Sequence, residues 1–162
     1  MAKMAEFVSR DIFEEVGRLC AYYSYLEGSV AQAIWLELQL THDFGHPVTD
    51  RLQLRESFKL LIGIHKREGH SRVVDHLKSL EKRMNDLMEK RNLLVHGTII
   101  FDPQQDQHGP GIRWLMRRGS YNRAPQVVTI NLVKELVREC DSLTTDFNTI
   151  GRLYYADDSG PA

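Results

Sequence analysis

"SRVVDHLKSLEKRMNDLMEKRNLLVHG", residues 71–97, decides how this chain folds. Its apolar residues fall at Val73, Val74, Leu77, Leu80, Met84, Leu87, Leu94 and Val95, which trace one stripe of an α-helix. Ser71 suits the cap at its start, and Gly97 suits the left-handed position beyond its end. A stripe about seven turns long is buried only against other helices, so the stretch predicts a bundle.

One residue interrupts the stripe. Arg91 stands four residues after Leu87 and three before Leu94, and side chains at those spacings share a face. A guanidinium there must reach out to solvent or find acceptors, because an uncompensated buried charge is very costly. A second row, Glu81, Asn85, Met88, Asn92 and His96, runs beside the stripe. Asn92 and His96 are separated by four residues, about 40° around the helix, so the amide can reach the ring and fix its tautomer. Arg91 and His96 are about 140° apart, and so flank one groove or meet a partner molecule.

Upstream, the apolar residues Ile12, Val16, Leu19, Tyr23, Leu26, Val30, Ile34 and Leu38 predict a first helix over about 11–40. "THDFGHPVTD" carries Gly45 and Pro47 and reads as a break. A second helix over about 50–68 is expected to start at Thr49 or Asp50 and to end near Gly69. The third is the helix over 71–96. After Gly97 the period changes: "GTIIF", "IRWLMRR" and "QVVTI" are short, β-branched and aromatic, and are separated by turn-forming segments. These predict a small β-hairpin or three-strand appendage over about 98–130. Asn131 is expected to cap a last helix over about 131–153, with Leu132, Leu136, Cys140, Leu143, Phe147 and Ile150 inward and a fraying tail "YYADDSGPA". The fold class is therefore mainly α: an antiparallel four-helix core with a β appendage before the last helix. The 162 residues make one domain.

Composition sets the outer bounds. Hydrophobic residues are 42% and charged residues 27%, which excludes a disordered chain. The start lacks an apolar leader, and no apolar run reaches the roughly 20 residues a spanning helix needs, so a cytoplasmic protein with no membrane partner is expected. Cys20 and Cys140 are far from any cysteine at ligand spacing and read as reduced core thiols. Residues 1–50 carry three Lys/Arg against eight Asp/Glu, whereas 51–91 carry eleven against six. Arg113, Arg117, Arg118 and Arg123 then fall in a segment without an acid. Such asymmetry marks either a face for an anionic partner or complementary packed helices. His42 and His46 flank Asp43 in the broken stretch, and His65, His70 and His76 fall at spacings that suit no metal motif, so neither metal nor cofactor is expected.

The string Arg91-Asn92-Leu-Leu-Val-His96 at a helix end resembles the signature of the HEPN superfamily, the higher eukaryotes and prokaryotes nucleotide-binding domains: an arginine, a polar residue, and a histidine a few residues on. "YSYLEGSVAQAIWLEL" and "SFKLLIGIH" are similar in style to that family's early helices. The resemblance covers roughly residues 10–97 and the last helix, and only the motif is specific. It implies a four-helix fold and a metal-independent endoribonuclease that works as a homodimer, with two motifs meeting at a two-fold axis. Arg91, His96 and Asn92 are then the catalytic residues. Histidine moves protons near neutrality, and guanidinium grips phosphate oxygens. Lys82, Arg83 and Lys90 are candidates for RNA binding. Glu27 lies on the apolar side of the first helix and is a candidate partner for Arg91. A toxin or antiviral-defence role is implied, with an antitoxin such as a nucleotidyltransferase-like protein as a possible partner. The alternative is a non-catalytic HEPN-like module for RNA or nucleotide binding or for dimerisation, and a helical interaction protein outside the family is a third reading.

Overall fold

The amphipathic stripes become long helices, and the fold is mainly helical. A computed structural model of the protein describes residues 10–100, 113–117 and 126–157, with side chains over 10–97 and 128–151. Helices α1 (Arg10–Glu37), α2 (His42–Thr49), α3 (Leu54–Arg67) and α4 (Ser71–His96) are followed by strands β1 (Gly97–Ile100), β2 (Arg113–Arg117) and β3 (Gln126–Val128), then by helix α5 (Ile130–Asp157). The expected turns at 102–111 and 119–125, with Arg118 and Arg123, lie outside the described residues, as do 158–162 of the tail. Among the described residues, no helix is long and apolar enough to cross a membrane.

The chain divides into two compact units, Met1–Tyr22 with Leu87–Glu139, and Tyr23–Asp86 with Cys140–Ala162. In the first unit, Ile12, Leu19, Leu87 and Leu136 are buried, and Val128 and Val133 form a cluster packed by Val16, Leu93 and Leu94. The backbone after α4 runs into β1 without a loop. β1 pairs antiparallel with β2 in the register Gly97↔Arg117 to Ile100↔Trp114, and β2 pairs antiparallel with β3, Arg113 facing Val128.

In the second unit, Tyr23, Leu26, Val30 and Ile34 from α1 are buried. So are Leu54, Phe58 and Leu61 from α3, Val74, Leu77, Leu80 and Met84 from α4, and Cys140, Leu143 and Phe147 from α5. Phe58 and Phe147 meet edge to face, with centroids 5.7 Å apart. Each fully buried Leu or Ile of such a core contributes about 1.5–3 kcal/mol through removal from water.

Several local expectations are corrected. "THDFGHPVTD" is a helix rather than a break, and His42 and His46 lie on α2 rather than in a loop. Pro47 costs α2 a hydrogen bond, and packing against α1 offsets it. The Trp35 indole N–H donates to Thr49 Oγ1 at 3.0 Å, and the Thr49 hydroxyl donates to the Gly45 carbonyl at 3.2 Å. A β-carbon on Gly45 would stand 2.5 Å from the Trp35 ring, so glycine is there for close approach and not to end a helix.

The helix that follows starts at Leu54, not at 50. Its N-cap is Gln53, whose backbone N–H donates to Glu56 Oε2 at 2.8 Å in a capping box. Ser71 is the first residue of α4 rather than its cap. Gly97 begins β1, and its φ is not positive; among described glycines only Gly69 has a positive φ. α5 is capped by Thr129, whose Oγ1 accepts from the Leu132 amide at 3.2 Å, so Asn131 lies inside the helix. α5 continues through Tyr154 and Tyr155 to Asp157, past the expected end at 153.

Both α1 and α3 end in Schellman motifs. Gln39 takes φ 53°, with its amide on Leu36 O and the Leu40 amide on Trp35 O. Gly69 takes φ 82°, with its amide on Lys66 O and the His70 amide on His65 O.

Candidate functional site

The end of α4 carries the first candidate. Arg91 and Asn92 are half-buried and His96 is exposed in the last helical position. Arg91 Nη1 donates to Asn92 Oδ1 at 3.1 Å. Consecutive helical residues do not face one another, so the guanidinium curls back along the helix to make this bond. Asn92 thus turns its carbonyl oxygen to Arg91. Among the described residues, no hydrogen bond joins Asn92 to the His96 ring, the contact expected from their four-residue spacing. The amide oxygen therefore serves the guanidinium and not the imidazole.

The other candidates scatter over the surface. Lys82 and Lys90 are exposed on α4. Arg83 is held within its own unit: Nη1 bonds Asp146 Oδ2 at 2.7 Å and Nη2 bonds Ser142 Oγ at 3.0 Å. Both partners are more than a third exposed, so this pair stabilises by about 0–1 kcal/mol. Glu27 is exposed on α1. Of the arginines after Gly97, Arg113 and Arg117 are described in backbone alone.

A second cluster, which the residue spacing did not suggest, lies at the end of α3. The helix buries Leu54, Ser57, Phe58, Leu61 and His65, so a histidine occupies the fifth position of the core stripe. The Schellman turn at Gly69 reverses the chain and sets His70 beside His65, the pair of positions where this motif usually places two apolar side chains. Their Nδ1 atoms are 3.2 Å apart. Glu68 Oε2 lies 3.5 Å from His70 Nδ1, and on the other side of His65 its Nε2 lies 3.8 Å from Glu37 Oε1. The side chains of His65 and Glu37 are only 6% and 9% exposed. Burial pushes the His65 pKa below its usual value, and His70 adds to that; Glu37 and Glu68 pull the other way. Glu37 ends α1, where the helix dipole disfavours a carboxylate, and the His65 ring lies 3.8 Å from it.

One ligand atom each from His65, Glu68 and His70 lies within 4.8 Å of the others, close enough to share a metal ion. The expectation that these histidines suit no metal was drawn from spacing along the chain; the turn at Gly69 removes that separation. Glu37 and His65 also line an open cavity of about 500 Å³ with Tyr25, Leu36, Leu61 and Phe147.

The chain matches no protein-family model, no curated protein and no solved structure.

Proposed function

We propose that the chain is a HEPN-type, metal-independent endoribonuclease acting as a homodimer through Arg91, Asn92 and His96, with a small β ribbon over about 98–130 beside the motif. The observation that carries this reading is the end of α4: a half-buried guanidinium held by the adjacent amide, and an exposed imidazole about one turn on. The register Gly97↔Arg117 supports it, because it brings a basic residue's backbone beside the residue that follows His96. RNA cleavage of this kind joins the 2′-oxygen to phosphorus and breaks the bond to the 5′-oxygen. One proton leaves the 2′-hydroxyl and one reaches the leaving oxygen. His96 moves a proton, and a second copy of it across the two-fold axis supplies the other transfer. Arg91 grips the phosphate oxygens where charge builds. Lys82 and Lys90 steer the RNA backbone. A toxin or defence role, with an antitoxin as partner, belongs to the same reading.

The test is incubation of the purified protein with structured RNA in EDTA. Wild type should cleave, and His96→Ala should lose activity by about two to four orders of magnitude. Its melting temperature should stay nearly unchanged, because an exposed ring at a helix end packs little. If wild type cleaves no RNA and His96→Ala collapses the fold, the motif is structural and the non-catalytic module is the better reading.

A further inference from the structure

We propose that His65, Glu68 and His70 form a binding site for one divalent transition-metal ion of the zinc class, with Glu37 orienting His65 from behind. The site is separate from the Arg91–His96 motif and does not depend on the nuclease reading.

The distances carry the assignment. Two ligands about 2.1 Å from a tetrahedral ion stand about 3.4 Å apart. His65 Nδ1 to His70 Nδ1 is 3.2 Å, and His70 Nδ1 to Glu68 Oε2 is 3.5 Å. Two edges of a ligand tetrahedron are therefore already present. The donor set, two imidazoles and one carboxylate, suits zinc and its neighbours rather than calcium or magnesium, which take oxygen ligands.

Glu37 supplies a second, independent indication. A metal-bound histidine nearly always gives its other ring N–H to a carboxylate or carbonyl, which fixes the tautomer and aims the lone pair at the metal. His65 Nε2 faces Glu37 Oε1 at 3.8 Å, inside the protein. A proton on Nε2 leaves the Nδ1 lone pair for the ion, with His70 Nδ1 3.2 Å away. The same tautomer allows His70 Nδ1–H to donate to His65 Nδ1, so a proton can stand where the ion would.

The surroundings favour a cation. The cluster is built on the last turn of α3, where main-chain carbonyls point outward and the dipole is negative. Glu68 and His70 are 37% and 30% exposed, so an ion can enter from solvent while His65 holds it from the buried side. Three protein ligands leave a fourth position for water, as in zinc sites that are not purely structural.

The experiment uses the full chain, stripped with EDTA, dialysed and titrated with Zn²⁺ by calorimetry and with Co²⁺ by visible absorption. Wild type should take up one equivalent of Zn²⁺ per chain, and the Co²⁺ form should show the intense visible bands of a four- or five-coordinate ion. His70→Ala and Glu68→Gln change half-exposed side chains, so they should fold, and each should weaken binding by about 100-fold or more. Glu37→Gln should weaken it by about 10–100-fold without changing the stoichiometry. The double variant His42→Ala/His46→Ala removes the other close histidine pair and should bind as wild type does. A wild-type chain that takes up no stoichiometric Zn²⁺, or a His70→Ala chain that binds like wild type, overturns the site. So does binding that is lost only in the α2 double variant. None of these readouts involves RNA, so the site can fail while the nuclease reading stands, and the reverse.

Discussion

At the scale of single residues, Arg91 and Gly45 offer the sharpest substitutions. Arg91 keeps its guanidinium in a bond to Asn92 Oδ1, and Arg91→Lys retains the charge but loses the planar fork. On the proposed mechanism, Arg91→Lys should retain at most a few per cent of the wild-type cleavage rate, while RNA binding weakens less. Equal rates for the two proteins would remove the guanidinium from the mechanism. Gly45 is a question of space. Gly45→Ala drives a methyl group to within 2.5 Å of the Trp35 ring, and neither the ring nor the helix can move without cost. Overpacking of this kind destabilises by about 1–3 kcal/mol, which a lowered melting midpoint would register. An unchanged midpoint would mean that α2 shifts freely against α1.

At the scale of elements, the helix stripes were legible and the helix ends were not. In α1 and α5 the apolar period finds Leu19, Tyr23, Leu26, Val30 and Ile34 and Leu136, Cys140, Leu143 and Phe147, because a period of 3.6 leaves one face to bury, whereas Leu38, expected on the same stripe, is exposed beyond the end of α1. Caps depend on which of two adjacent polar residues has its oxygen over the first turn; Thr129 and Asn131 both qualify by type, and only the backbone at Ile130 decides. α2 was illegible because glycine and proline usually break helices, and their tolerance here comes from the Trp35 ring fourteen residues away from Thr49. The His65–His70 pair was half legible: His65 sits on the stripe of Leu54, Phe58 and Leu61, and Gly69 sits where a left-handed turn would fold His70 back. Thr129→Ala should cost about 1 kcal/mol of stability through loss of the cap. Gly69→Ala should cost a similar amount or more, since φ 82° is strained for a residue with a β-carbon. If the turn at Gly69 aligns the metal ligands, that variant should also bind Zn²⁺ more weakly, a loss that Thr129→Ala does not share.

At the scale of the molecule, the charge gradient and the proposed homodimer can each be tested. If Lys82, Arg83 and Lys90, with some of Arg113, Arg117 and Arg118, contact an RNA backbone, affinity should fall steeply with salt, because each phosphate neutralised releases counterions. A flat response from about 50 to 200 mM salt would assign these charges to balancing the acidic residues 1–50 instead. A composite site needs two copies, so light scattering at micromolar concentration should return twice the chain mass. A monomer that nonetheless cleaves RNA would refute the composite site while leaving Arg91 and His96 in place.

The corner where α2 meets α1 also makes the protein its own optical reporter. The chain has two tryptophans, Trp35 and Trp114. With Trp114→Phe, all indole emission comes from Trp35, whose N–H is engaged by Thr49 and whose ring lies against the Gly45 backbone, with the His42 imidazole at its edge. Detachment of α2 would expose that ring to water and shift its fluorescence to the red, with α1 intact and the far-ultraviolet dichroism little changed. A denaturant titration followed by both signals would then separate the loss of one short helix from the loss of the fold, using light the protein already emits.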